Sequence, residues 1–190
     1  MSCIIGYNDK VNKVIWMGAD SAGSTTNTSY IQTNPKVFIK ANKMIIGYVG
    51  SFRMGQILQY NFSLPLHRKS DESNMEYMVR SFIPELMKTF KEKGIVTVRD
   101  EFVYGIGEFL VGYNGELFSI DNAFQVLQQE TNFMCCGCGE DFANGAMFGM
   151  SLFQPVCKDV EKRIRFALQT TEYYSKSVRS PFTILKLKYK

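Results

Sequence analysis

Residues 3–20 read CIIGYNDKVNKVIWMGAD. Two apolar runs, residues 3–8 and 13–19, flank a polar turn and so predict a β-hairpin. Both runs are nearly continuous in apolar residues, which predicts a sheet covered on both faces. The hairpin ends on Asp20, a carboxylate that is costly to bury unless it meets a cation or hydrogen-bond donors. The small polar stretch DSAGSTTNTSYIQTN (20–34) follows and reads as a loop. A second hairpin then forms from KVFIK (36–40) and MIIGYVG (44–50), joined by ANK. Lys36 therefore opens a strand just after Asp20 closes one, and it is the natural partner of that carboxylate.

Outward from these hairpins the chain falls into blocks. Gly50 and Ser51 start a helical pattern through Ile57, Leu58 and Phe62. Ser73 and Glu76 fit a capping box, and Met75, Met78, Val79, Phe82, Leu86 and Phe90 follow at helical spacing up to Gly94. Pro84 lies inside that pattern and predicts a kink or a split. EFLVGY and ELFSI flank Asn114-Gly115, a strong hairpin signal, and FQVLQQ and NFMCCG complete a second strand block. Two helical stretches, residues 140–153 and 157–174, precede a last strand, FTILKLKY (182–189). The order strands, helices, strands, helices, strand predicts an α+β fold with two stacked antiparallel sheets and helices outside. A doubly wound parallel sheet, which would alternate more strictly, ranks second.

Composition narrows the chemistry. A chain of 190 residues with 45% hydrophobic and 21% charged residues suits a single globular domain spanning residues 1–190. No apolar run approaches the ~20 residues of a membrane span, and no secretory signal is expected. The net charge of +4 is scattered, so no nucleic-acid footprint is expected. Five cysteines, three of them in CCGC, point to a reducing compartment, the cytoplasm. The crowded Cys135, Cys136 and Cys138 do not match paired zinc spacing, and they read as small apolar fillers before a Gly-rich turn. GCGEDFANG matches no phosphate-loop pattern, and Glu140 and Asp141 would repel phosphate while stabilising the helix they open. No metal or cofactor is expected. His67 is the one histidine, so a Ser-His-Asp or Cys-His mechanism would hang on a single residue in a polar stretch.

Taken together, a short first strand preceded by Ser2 and Cys3, Ala19-Asp20-Ser21 after strand two, Lys36-Val37 opening the next long strand, Gly50 in GYVGS, and Gly137-Cys138-Gly139 before a small-residue helix form a series. That series resembles the proteasome-type β-subunit branch of the N-terminal nucleophile (Ntn) hydrolases, including the bacterial two-component protease subunit. The resemblance implies a four-layer αββα sandwich. It implies a catalytic set of Ser2 as nucleophile after loss of Met1, Asp20, Lys36, Gly50 as an oxyanion donor and Cys138, with Cys3 as runner-up nucleophile. It further implies a peptide or amide substrate, a homo-oligomer in the form of a ring, and an ATP-driven unfoldase as partner. Such a nucleophile uses its own α-amine as base and needs no histidine. Three departures stand out: Ser2 replaces the family's threonine, Cys138 replaces a serine, and Val178-Arg179-Ser180-Pro181 occupies the place of a Gly-Gly. Glu172, Ser175 and Ser177 lie near the place of the family's C-terminal Asp/Ser pair. A non-catalytic scaffold and a small-molecule amidase on the same fold are the alternatives.

Overall fold

A computed structural model of the chain describes residues 2–24, 28–67, 72–99, 102–152 and 158–190. The strands are β1 (Ile4–Asp9), β2 (Val14–Ala19), β3 (Ala22–Ser24), β4 (Ser29–Ile31), β5 (Val37–Lys40), β6 (Met44–Gly50), β7 (Thr97–Arg99), β8 (Phe102–Tyr104), β9 (Gly107–Tyr113), β10 (Glu116–Ile120), β11 (Val126–Leu127), β12 (Phe133–Cys136) and β13 (Thr183–Lys188). The helices are α1 (Phe52–Tyr60), α2 (Asn74–Tyr77), α3 (Ile83–Glu92), α4 (Glu140–Leu152) and α5 (Val160–Tyr174). Met1, and the expected helix ends Phe153 and Cys157, lie outside the described residues.

All strand pairs are antiparallel, so the doubly wound alternative is set aside. One sheet runs β12-β1-β2-β13 and the other β11-β10-β9-β6-β5. The predicted hairpins β1–β2, β5–β6 and β9–β10 are all present. Asn114 and Gly115 both take positive φ, 45° and 80°, as a type I′ turn requires. The loop after Asp20 contains one structure that the sequence did not announce, the short pair β3–β4.

Three apolar layers hold these elements together. Ile4, Ile15, Met17, Ile45, Leu110 and Met134 fill the space between the sheets. A Cβ on Gly47 would lie 2.5 Å from Ile4 Cγ2, so the two sheets approach too closely there for any side chain. Outside the five-stranded sheet, Tyr48, Phe109 and Phe118 pack with Met54 and Leu58 of α1 and with Phe82, Leu86 and Phe90. Outside the four-stranded sheet, Cys3, Ile5 and Cys135 pack with Ala143 and Met147 of α4 and Ile164, Ala167 and Leu168 of α5. Cys135 and Cys136 thus face opposite layers, as neighbours on a strand must.

The Ser73–Glu76 capping box opens α2 with both reciprocal bonds made. The helix then runs unbroken into α3 through a π-helical turn, Met78–Phe82. There the Ile83 N–H bonds to Met78 O, five residues back. The wide turn comes just before Pro84 and relieves the clash and the missing N–H that a proline brings to a regular helix. The predicted split is therefore an insertion, not a break.

Candidate active site

Ser2 precedes β1, and the neighbouring strands bring it its partners. Asp20 follows β2, whose last residue, Ala19, pairs with Ile4. Lys36 immediately precedes β5 in the other sheet. The Lys36 Nζ donates to Asp20 Oδ1 and Oδ2, both at 2.9 Å, and to Ser2 Oγ at 2.8 Å. All three groups are buried, Ser2 at 4% exposure and Asp20 and Lys36 at 1%. A buried carboxylate needs donors as well as a cation. Asp20 finds them locally: its Oδ1 accepts from the Cys3 N–H at 3.0 Å and its Oδ2 from the Ala22 N–H at 2.8 Å. The carboxylate thereby ties the residue after Ser2 to the loop after β2.

Burial lowers the pKa of Lys36 from the ordinary lysine value, and the Asp20 charge and hydrogen bond oppose that shift. The bidentate geometry keeps the ammonium form the one that fits, since it alone donates to three acceptors at once. An ammonium against Ser2 Oγ stabilises negative charge as it develops on that oxygen. Chemically, the trio is a hydroxyl held and polarised by a cation whose position is fixed by a carboxylate.

The other predicted residues sit around this trio. Gly50 ends β6 with φ +91°, and a Cβ there would lie 3.1 Å from Gly107 Cα. Ser51, next in sequence, caps α1 by accepting from the Met54 N–H. Gly137 takes φ +97°, and a Cβ on it would meet Ser2 O at 2.4 Å and Val49 Cγ1 at 2.9 Å. This glycine is therefore wedged between the Ser2 carbonyl and the end of β6, which places the two turns of the series side by side. Cys138 reaches Ser2 through its carbonyl, with Sγ 3.5 Å from Ser2 O, and the Gly139 N–H donates to the same oxygen at 3.4 Å.

Cys3 is placed differently. Its side chain lies in the layer under α4 and α5, fully buried, and burial raises the thiol's pKa. Strand alternation sends Ser2 toward Lys36 and Cys3 away from it. The lone histidine is also remote from the trio: His67 stacks on Tyr77 at 4.6 Å, and its ring nitrogens lie 3.1 Å from Tyr113 Oη and 3.0 Å from Glu72 O.

Sequence reading left one part of this neighbourhood unplaced. The segment after α5 returns to the Asp20 loop, where the Ser21 N–H donates to Arg179 O at 2.9 Å and the Ser21 hydroxyl donates to Pro181 O. Glu172 does not approach the trio through its carboxylate; its Oε1 accepts from Ser180 N at 2.8 Å and Ser180 Oγ at 3.0 Å. No motif in the sequence connects residue 21 with residue 179, and only the β2–β13 pairing does.

No family model matches the sequence, and no curated protein matches it. Solved structures do. BPH from Thiobacillus denitrificans superposes with a TM-score of 0.78 at 16% identity, over 100% of this chain and 99% of that one. The same protein in complex with epoxomicin gives 0.79 at 14% identity, over 99% of each chain. HslV from Trypanosoma brucei gives 0.68 at 17% identity, over 98% of this chain and 99% of that one. The chain has a proteasome-like fold. At these identities the likeness establishes the fold alone.

Proposed function

We propose that this chain is a proteasome-like Ntn hydrolase that cleaves peptide or amide bonds with Ser2 after Met1 is removed. The observation that carries the reading is the Lys36 ammonium, bound at once to Ser2 Oγ and to both Asp20 oxygens. Removal of Met1 frees the Ser2 amine, whose ordinary pKa of ~7.7–8.0 suits a general base at neutral pH. In the proposed reaction the amine takes the Oγ proton as Oγ attacks the substrate carbonyl. The tetrahedral oxyanion is held by the Gly50 N–H. The amine then protonates the leaving nitrogen, an ester remains on Ser2, and water hydrolyses it. Asp20 holds Lys36 in place, and Cys138 and the Gly139 N–H hold the Ser2 carbonyl, which Gly137 leaves room for.

We take the three apolar layers to be those of a four-layer αββα sandwich in one domain. A homo-oligomer, ring-shaped, belongs to the same reading. It is supported by the outer sides of α4 and α5, which expose Phe148, Phe166 and Tyr173 at 53%, 55% and 83%, more aromatic surface than a solvated helix pair normally carries. An ATP-driven unfoldase would deliver peptide substrates to such an assembly.

Epoxomicin, bound by the Thiobacillus protein, and a hydroxyl-directed covalent probe are the test reagents. The purified native protein is expected to be labelled on Ser2, with labelling abolished in Ser2→Ala and sharply reduced in Lys36→Met. A folded native protein that begins at Ser2 and takes up neither probe would leave the non-catalytic scaffold in its place.

A further inference from the structure

A cleft of 1440 Å³ opens far from Ser2, at the opposite end of β5. Lys36 lies just before that strand and Lys40 ends it, a separation of four residues or roughly 13 Å along extended chain. The type I′ turn Ala41-Asn42, with φ of 51° and 53°, and the Asn114-Gly115 turn stand on either side, and the chain's last residues close the rim.

The wall has a consistent chemistry. Among its described residues, Lys40, Lys43, Lys188 and Lys190 line it against one acidic side chain, Glu72. The Glu72 carboxylate is turned toward His67, 3.6 Å from Nε2. Among the described residues, no carboxylate side chain lies within 4.0 Å of any of the four ammonium groups. Lys40 is the telling member. Its Nζ is half-buried, donates only to the Gln59 carbonyl at 2.8 Å, and has its pKa lowered by burial with no acidic group acting against the shift. A desolvated cation without a countercharge is costly.

We propose that the cleft binds a small phosphate-bearing anion, with Lys40 at its base and Lys43 and Lys188 on its rim. Three features select this ligand. Among the described residues of the wall the cations are lysines, which serve phosphate as point charges, and none is an arginine, whose planar fork favours bidentate carboxylate pairing. Gln59 and Asn42 bring amide side chains, a source of neutral donors, to the same wall. His67, with one ring face on Tyr77, supplies an aromatic edge to the same space. The volume exceeds the ~300–1,000 Å³ of an ordinary ligand site, so a small anion fills the Lys40 end and leaves the remainder wet. This site uses none of the groups around Ser2 and does not depend on removal of Met1.

Because His67 is the only histidine, its imidazole NMR signals report on the cleft alone. The probes are inorganic pyrophosphate, AMP and, as a carboxylate control, citrate, each titrated at about 0.15 M salt to screen diffuse attraction. Saturable shifts of the His67 signals with pyrophosphate or AMP are expected, and the tighter of the two distinguishes an inorganic from a nucleotide source. The Lys43→Glu/Lys188→Glu double variant is expected to weaken binding at least tenfold, whereas Lys162→Glu on α5 leaves it unchanged. Absence of a His67 shift up to about 10 mM of either phosphate, far weaker than a specific site, overturns the proposal. So does an affinity that the double variant leaves intact, or citrate binding as tight as that of the phosphates.

Discussion

Replacing Lys36 by methionine keeps the length of the side chain and deletes its charge. Asp20, at 1% exposure, then holds a carboxylate with no cation, and breaking a buried pair in this way costs about 3–5 kcal/mol. The structure argues for the lower end, because the Cys3 and Ala22 N–H groups still donate to it at 3.0 and 2.8 Å. Asp20→Asn strands Lys36 instead, against one amide oxygen and Ser2 Oγ, and leaves one of those two backbone donors without an acceptor. A cost of about 3 kcal/mol is expected there as well. With both charges gone the second loss largely disappears, so Lys36→Met/Asp20→Asn should cost about 2–4 kcal/mol, giving a coupling of at least about 2 kcal/mol. Total stability of about 5–15 kcal/mol leaves the variants foldable, with Tm lowered by roughly 6–12 °C for 3 kcal/mol. Equilibrium urea unfolding of the four proteins measures the cycle. Single variants within about 1 kcal/mol of the parent, or a double variant equal to the sum of the singles, would refute the coupled buried pair.

Other outcomes follow from the same geometry. Gly137→Ala should cost about 1–3 kcal/mol for its positive φ and cut Ser2 labelling more than tenfold, because its Cβ meets the Ser2 carbonyl at 2.4 Å; labelling at the parent rate would show that this carbonyl is not held by the turn. Cys138→Ser should raise the labelling rate several-fold, since a hydroxyl donates to Ser2 O better than a thiol, with stability changed by less than about 0.5 kcal/mol at this exposed site; an unchanged or lower rate would remove Cys138 from the machinery. The pH dependence has a definite sign. Lys36 has a folded pKa below 10.5, so between that value and 10.5 the unfolded chain keeps a proton the folded chain has released, and stability rises with pH. The stability of the parent relative to Lys36→Met should therefore grow as pH is raised from neutral toward 10.5, and unfolding curves showing the gap shrinking would reverse the assignment.

Local signals carried most of what was legible in the chain. The hairpins β1–β2, β5–β6 and β9–β10 are short-range and announce themselves by apolar runs and turn residues. The Asp20–Lys36 pair was legible for the same reason: one charge closes an apolar strand and the other opens the next, and two such charges rarely stay buried apart. The pair β3–β4 was invisible because Ala22, Gly23 and Ser24 carry no apolar alternation and pair only with the equally short stretch Ser29–Ile31. The return of residues 179–181 to Ser21 was invisible because it rests on pairings across 158 and 160 positions, made by backbone carbonyls that any residue supplies. The anion cleft was hidden for a third reason. Lys40, Lys43 and Lys188 look like ordinary exposed strand-end lysines until the fold brings the turn after β5 and the end of β13 to one rim.

The intact mass of the purified native protein, with sequencing of its first peptide, tests the central claim most directly. The account predicts a chain that begins at Ser2 with a free amine. A native chain that keeps Met1 throughout, with no processed fraction, would leave the Ser2 nitrogen an amide, and the proposed base would not exist.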